Sequence, residues 1–254
     1  MTLTLGICGA EGRMGRAVLA LLPEYPELRL TAALTAHDSP GVGRLVSGVR
    51  LAGRAADVSG EAEVWLDFSA PDSSVMLAEE CARRGRPLLV GTTGHSNAER
   101  EALLNSARRI PLALVANTSI GVFALLAAAR EAQRILGSSA EVEIVEAHHR
   151  AKKDTPSGTA LMIARELGAA GGLTLITSRE GERKPGELGV TSIRGGDVVG
   201  EHTVYFLGDG ERLELTHRAR DRSVFARGAL QLVQRLARRT PGLYGISDLV
   251  GAEQ

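Results

Sequence analysis

Short apolar runs alternate with amphipathic segments through the first half of the chain. Residues 3–8 predict a strand, 13–22 a helix and 28–34 a second strand. Strands follow at 63–68, 88–90 and 112–116, with helices at 73–84 and 97–108. Strand–helix alternation with short connections predicts a parallel sheet with helices on both faces. The runs are rich in Leu, Val and Ala, as strands covered on both sides must be. Residues 38–60, rich in Gly and Ser, read mostly as loop.

After Ser119 the pattern changes. A helix is predicted over 123–136, then a half-buried strand over 141–149, where Glu-Val-Glu-Ile-Val-Glu alternates, and a helix over 159–168. Strands at 173–178, 190–194, 198–206 and 212–217 follow, with turn chemistry at Gly195-Gly196-Asp197 and Gly208-Asp209-Gly210. This predicts an α+β domain with a mainly antiparallel sheet. Residues 181–189 read as a mobile loop. A last amphipathic helix, 223–239, is better suited to covering the first domain than the second.

Composition narrows the class. Hydrophobic content of 44% and charged content of 24% are ordinary for a globular chain. Thirty basic residues balance thirty acidic ones, so no footprint for nucleic acid or an anionic membrane is expected. Cys8 and Cys81 read as small buried hydrophobes rather than a disulfide framework, which fits a reducing cytoplasm. No basic segment precedes an apolar stretch at the N-terminus, so no signal peptide is expected. The longest apolar run, 122–129, is far short of the ~20 residues that span a bilayer. A cytoplasmic protein is expected.

Gly9-Ala10-Glu11-Gly12-Arg13-Met14-Gly15 follows the first strand and opens the first helix, the context a dinucleotide fingerprint requires. Gly9 permits the tight turn, Gly12 the approach of pyrophosphate, and Gly15 close packing of helix on strand, with the helix start attracting phosphate. A ligand-free glycine turn stays open, because Glu11 stands where the strict fingerprint has its second glycine. About twenty residues on, an acid ordinarily holds the adenosine ribose; here Thr35 stands at that position and Asp38 comes late. With that acid missing, and with Arg13, Arg16 and His37 available to a 2′-phosphate, NADPH is expected to be accepted at least as well as NADH.

The segment 146–160, Glu146-Ala-His148-His149-Arg-Ala-Lys152-Lys153-Asp154-Thr-Pro156-Ser157-Gly158-Thr159-Ala160, concentrates proton donors and cations ahead of a helix start. Ser157 is a good N-cap, Gly158 lets a ligand approach the backbone, and the helix amides from Thr159 form an anion site within reach of Lys152. Adjacent histidines at a strand end point to opposite faces unless the chain turns there. A solvated basic loop with plain capping remains an alternative. Metal binding is weaker, because adjacent histidines lack i, i+4 spacing and no cysteine joins them; no metal is expected.

That segment resembles the signature of the 4-hydroxy-tetrahydrodipicolinate reductase (dihydrodipicolinate reductase) family, a lysine-pathway enzyme of bacteria and plants. The resemblance extends through 9–15, Asp67-Phe68-Ser69, Gly91-Thr92-Thr93-Gly94, Ala116-Asn117-Thr118-Ser119, 178–181, 194–202 and 210–217. It implies a Rossmann-type parallel-sheet domain (1–118 plus 222–254) and a substrate and oligomerisation domain (119–221). It further implies NADPH or NADH as cofactor, a small dicarboxylate substrate and a homotetramer. His148 is implied as general acid and Lys152 as second proton donor or carboxylate ligand. His149, Ser157, Gly158 and Thr159 hold the substrate carboxylates with Thr93. Gly91, Thr92 and Thr93, and Ala116, Asn117, Thr118 and Ser119, line the nicotinamide side. Many members carry an aromatic residue where this chain has Thr118. The rivals are a reductase of another dicarboxylate imine and a non-catalytic dinucleotide sensor.

Overall fold

The computed structural model describes residues 2–58 and 60–250. The chain divides into two compact units, Met1–Ser119 with Arg222–Gln254, and Ile120–Asp221. The first unit runs β1 (Leu3–Cys8), α1 (Arg13–Leu21), β2 (Leu28–Leu34), β3 (Leu45–Val46), β4 (Val49–Ala52), α2 (Ala55–Val58), β5 (Val64–Asp67), α3 (Pro71–Arg84), β6 (Leu88–Val90), α4 (Asn97–Ala107) and β7 (Pro111–Leu114). The second contains α5 (Ile120–Leu136), β8 (Ala140–His148), α6 (Gly158–Gly171), β9 (Thr174–Ile176), β10 (Glu187–Arg194), β11 (Gly200–Gly208) and β12 (Glu211–Ala219). The chain then returns to the first unit with α7 (Ser223–Leu236), β13 (Gly242–Tyr244) and α8 (Ile246–Val250).

The first sheet has the order β13-β7-β6-β5-β1-β2-β4-β3 and is parallel except for the β3–β4 pair. Order reverses at β1, so the loops after β1 and β5 open at a switch point, where doubly wound sheets bind ligands. Gly6 pairs with Trp65, and a Cβ at Gly6 would fall 2.5 Å from the indole. Only glycine lets that ring lie across the strand. Trp65, Leu77, Cys81, Leu88 and Leu103 fill one core of this unit. Helix α7 packs on α1 and on β5, β6 and β7, so its apolar stripe is buried within the first unit.

Local signals place the helix ends. Ser96 and Glu99 form a reciprocal capping box on α4, Pro71 opens α3, and Gly85 at φ 66° closes it. The stretch expected as loop holds the β3–β4 hairpin, turned by Ser47 and Gly48 at φ 46° and 80°. Its strands are too short to show alternation, and a positive φ at serine is uncommon. Strand β13 and helix α8 carried no sequence signal either. β13 has three residues and is fixed by pairing with β7. Helix α7 stops at Leu236, short of 239, and β10 begins at Glu187, inside the stretch expected as loop.

The second sheet has the order β12-β11-β8-β10-β9. Its longest pairings, β11 with β12 and with β8, are antiparallel, whereas β10 runs parallel to β8 and β9. Val142, Ile144, Leu188, Val204 and Phe206 point to one face, where Ile163, Ala164 and Leu167 of α6 cover them.

Candidate active site

Strand periodicity builds the centre of the second unit. On β8 the buried positions are 142, 144, 146 and 148, so one face passes from valine and isoleucine to Glu146 and His148. Register adds the neighbours: Arg194 pairs with His148, and Glu146 lies between Ser192 of β10 and His202 of β11. The apolar face of the sheet thus ends in an ionic layer.

Glu146, fully buried, is the hub. It accepts both guanidinium nitrogens of Arg194 at 2.8 and 2.6 Å, the Nδ1–H of His148 at 2.5 Å and the backbone N–H of Ser157 at 3.1 Å. Burial alone would raise its pKa, but the donors, Arg194 first and then Ser192, His148 and the Ser157 amide, outweigh it and hold the carboxyl at about 2. Glu146 is therefore a permanent anion. It keeps the proton on Nδ1 of His148, so Nε2 is the nitrogen left for proton transfer. A Cβ at Gly200 would lie 3.1 Å from that Nε2, so glycine keeps the ring's outer edge clear.

Burial lowers the pKa of His148, reinforced by Lys152 and Arg194 and opposed by Glu146. His202 meets its ring edge-on with centroids 5.3 Å apart, and burial holds His202 at about 4, neutral at ordinary pH. The Nε2 of His202 lies 3.3 Å from Ser157 Oγ, and that oxygen caps α6 by accepting the N–H of Ala160 at 3.2 Å. Gly158, exposed, has open space where a Cβ would stand. Arg194 also donates to the carbonyl of Asp154 at 2.7 Å, and Lys152 Nζ lies 2.9 Å from Asp154 Oδ2. One guanidinium thereby ties the loop carrying Lys152 to the strand carrying His148. His149 follows the strand end and is half-buried.

His148, His149, Lys152, Ser157, Gly158 and Thr159 all belong to this one unit. Thr93, grouped with them in sequence, belongs to the first unit and is exposed. Sequence reasoning gave no role to Glu146, Arg194 or His202. One signal was available: an acid falling on the buried parity of β8.

The first unit carries the other expected residues. Gly9 has φ 78°, and a Cβ there would fall 2.2 Å from Phe68 O. A Cβ at Gly15 would fall 2.2 Å from Gly9 O. Both positions therefore require glycine, for the turn and for close helix packing. Gly12 is the N-cap of α1 and supplies no side-chain cap, which leaves the first-turn amides around Arg13, Met14 and Gly15 for an anion. Ala10 is buried, its N–H bonded to Leu34 O at 2.9 Å. Glu11 accepts the Thr35 hydroxyl.

On the β5 side, buried Asp67 accepts the hydroxyls of Ser69 and Ser74, each at 2.5 Å, and of Thr92 at 2.7 Å, stitching the Gly91–Thr93 loop to the strand end. A Cβ at Gly91 would meet the Phe68 ring at 2.2 Å. The Thr118 side chain is buried and its hydroxyl donates to Phe225 O at 2.7 Å, so only its backbone remains for a ligand. Ala116 is exposed, and Asn117 accepts the N–H of Ser119 at 2.9 Å. These residues suit a dinucleotide: a glycine turn, an uncapped helix start and a switch-point crevice. Among the described residues no cluster suited to a metal ion is found.

A doubly wound unit suited to a dinucleotide, with a second unit carrying a buried acid–histidine layer, fits the class of dinucleotide-dependent oxidoreductases. Residues 3–118 match the family model for dihydrodipicolinate reductase, N-terminus, and residues 121–250 the model for its C-terminus. The chain belongs to the dihydrodipicolinate reductase family. A 4-hydroxy-tetrahydrodipicolinate reductase of Nitrosospira multiformis is 38% identical over 267 residues, covering 100% of this chain and 99% of that one. One from Myxococcus xanthus is 43% identical over 265 residues, covering 98% and 97%. Among solved structures, a dipicolinate-bound dihydrodipicolinate reductase from a Paenisporosarcina species shares the fold. Its TM-score is 0.81 at 19% identity, over 98% of this chain and 100% of that one.

Proposed function

We propose that this chain is a 4-hydroxy-tetrahydrodipicolinate reductase, reducing the dihydrodipicolinate-type cyclic imine to tetrahydrodipicolinate with NADPH or NADH in lysine and diaminopimelate biosynthesis. The observation that carries the reading is His148 held by the Glu146–Arg194 pair within one bonded network with the Ser157-capped start of α6. When bound, the reduced dinucleotide supplies a hydride to C4 of the conjugated imine. The first unit holds that dinucleotide through the 9–15 turn and the loops 91–93 and 116–119.

The second unit manages charge. Ser157, Gly158 and Thr159 at the helix start, with Lys152 and His149, bind the substrate carboxylates. His148 donates the proton on Nε2 to the ring atom that gains electron density, and Glu146 stabilises the imidazolium beforehand. Glu146 does not take the proton, because Arg194 keeps it ionised. Lys152, held at Asp154, is the second donor.

A coupled assay with the upstream synthase product, run with each nucleotide, tests the reading. His148→Ala or Lys152→Ala is expected to cut kcat by roughly 10²–10⁴ with the fold intact. No turnover by the wild type, or near-normal turnover by the double variant, overturns the assignment. The protein is further proposed to be cytoplasmic and to assemble as a homotetramer. Light scattering in solution should give the mass of four chains, and a monomer mass overturns that part. No helix among the described residues is long and apolar enough to cross a membrane.

A further inference from the structure

We infer that Glu11, from the glycine turn, replaces the missing strand-end acid as ligand of the adenosine ribose and makes this enzyme prefer NADH. The inference rests on the proposed dinucleotide site and goes beyond it by naming the group that selects the nucleotide. Strand β2 ends at Leu34, and Thr35 stands where doubly wound folds place the ribose acid. Thr35 is uncharged, yet its hydroxyl donates to Glu11 Oε2 at 2.7 Å. Ser39 donates to the same oxygen at 2.7 Å, and its own oxygen accepts the N–H of Gly41 at 3.0 Å. The chain closes around the carboxylate so tightly that a Cβ at Gly41 would fall 2.3 Å from both of its oxygens. A negative charge is thereby fixed at the end of β2, although no acid lies there in sequence.

Both hydroxyls bond Oε2, and among the described residues no hydrogen bond reaches Oε1. That oxygen is available to a ribose hydroxyl, which can only donate to it. The Thr35 and Ser39 hydroxyls lower the Glu11 pKa, so the group is ionised at neutral pH. Arg44 and Arg16 contribute attraction from farther away, and among the described residues neither forms an ion pair with it. A 2′-phosphate would replace one donating hydroxyl by a near-dianion facing a carboxylate. At partly screened contact distances such repulsion amounts to roughly ten- to a hundred-fold in affinity. On this inference NADPH binds less tightly than NADH, opposite to the expectation drawn from Thr35 alone.

The test is direct binding of NADH and of NADPH to the full chain, read by calorimetry, for the wild type and for Glu11→Gln. The expected wild type binds NADH about tenfold or more tightly than NADPH. In Glu11→Gln, NADH weakens several-fold, NADPH tightens, and the ratio approaches one or inverts. Thr35→Val, which removes one of the two hydroxyls fixing the carboxylate, should shift the ratio the same way by less. Equal affinities in the wild type, or a ratio unmoved by Glu11→Gln in a folded protein, overturn the inference and leave the dinucleotide site standing. Binding of neither nucleotide to the wild type overturns both.

Discussion

Replacing Arg194 by methionine should destabilise the second unit far more than a surface charge would, because it strands a buried anion. Glu146 is wholly buried and loses its one cationic partner of fixed charge once the guanidinium is gone, keeping His148 Nδ1, the Ser157 amide and the neighbouring Ser192 hydroxyl. A carboxyl held near 2 rather than 4.5 contributes about 3 kcal/mol at neutral pH, from 1.36 kcal/mol per tenfold in protonation. Breaking a buried pair by removing one partner independently costs about 3–5 kcal/mol. That loss corresponds to roughly a hundred-fold or more in the opening equilibrium.

Trp65, the sole tryptophan, lies in the first unit and would report on the wrong region. Amide exchange of peptides spanning 140–148 and 187–194 is the suitable assay, read in native buffer. The sign with pH follows from a depressed carboxyl. Its stabilisation is complete above the unfolded value of 4.5 and is lost as pH falls toward 2, so the gap between variant and wild type should narrow below about pH 4.5. Glu146→Gln added to Arg194→Met removes the stranded charge and should recover part of the loss. Exchange within about fivefold of wild type at neutral pH, or a double variant no better than the single one, would refute the reasoning.

Catalysis by His148 requires its charged form, and burial places its pKa below the usual histidine value. kcat/KM should therefore fall with rising pH on a limb below 6.5, and the bound dicarboxylate should move the kcat limb higher; coincident limbs would contradict this. Gly15→Ala puts a Cβ 2.2 Å from the Gly9 carbonyl, so the turn must shift. Calorimetry should show nucleotide affinity falling by about tenfold or more, with thermal stability lowered by about 1–3 kcal/mol, and unchanged binding would be inconsistent with that contact.

Much of the architecture was legible because periodicity and punctuation are local properties. The runs of β1, β2, β5 and β6 and the helices between them followed from apolar pattern, Gly85, Pro71 and the Ser96–Glu99 box. The chain's own residues likewise pointed to Gly9–Gly15 and His148–Thr159 as its two chemical segments. What local pattern could not supply was pairing. β13 and the β3–β4 hairpin are too short to announce themselves and exist because neighbouring strands offer hydrogen bonds. The partners of Glu146 lie 48 residues away at Arg194 and 11 away at Ser157, joined by sheet register and the return of α6.

The cofactor end shows the same division. From sequence, Thr35 reads as a missing acid and Glu11 as a departure from the glycine fingerprint. Folding puts them 2.7 Å apart across 24 residues, so the two departures become one carboxylate site. Sequence by itself determined which residues could carry charge and protons, because that is a property of side chains. Tertiary structure decided which charges meet and stay ionised, because burial and hydrogen-bond donors come from segments distant along the chain.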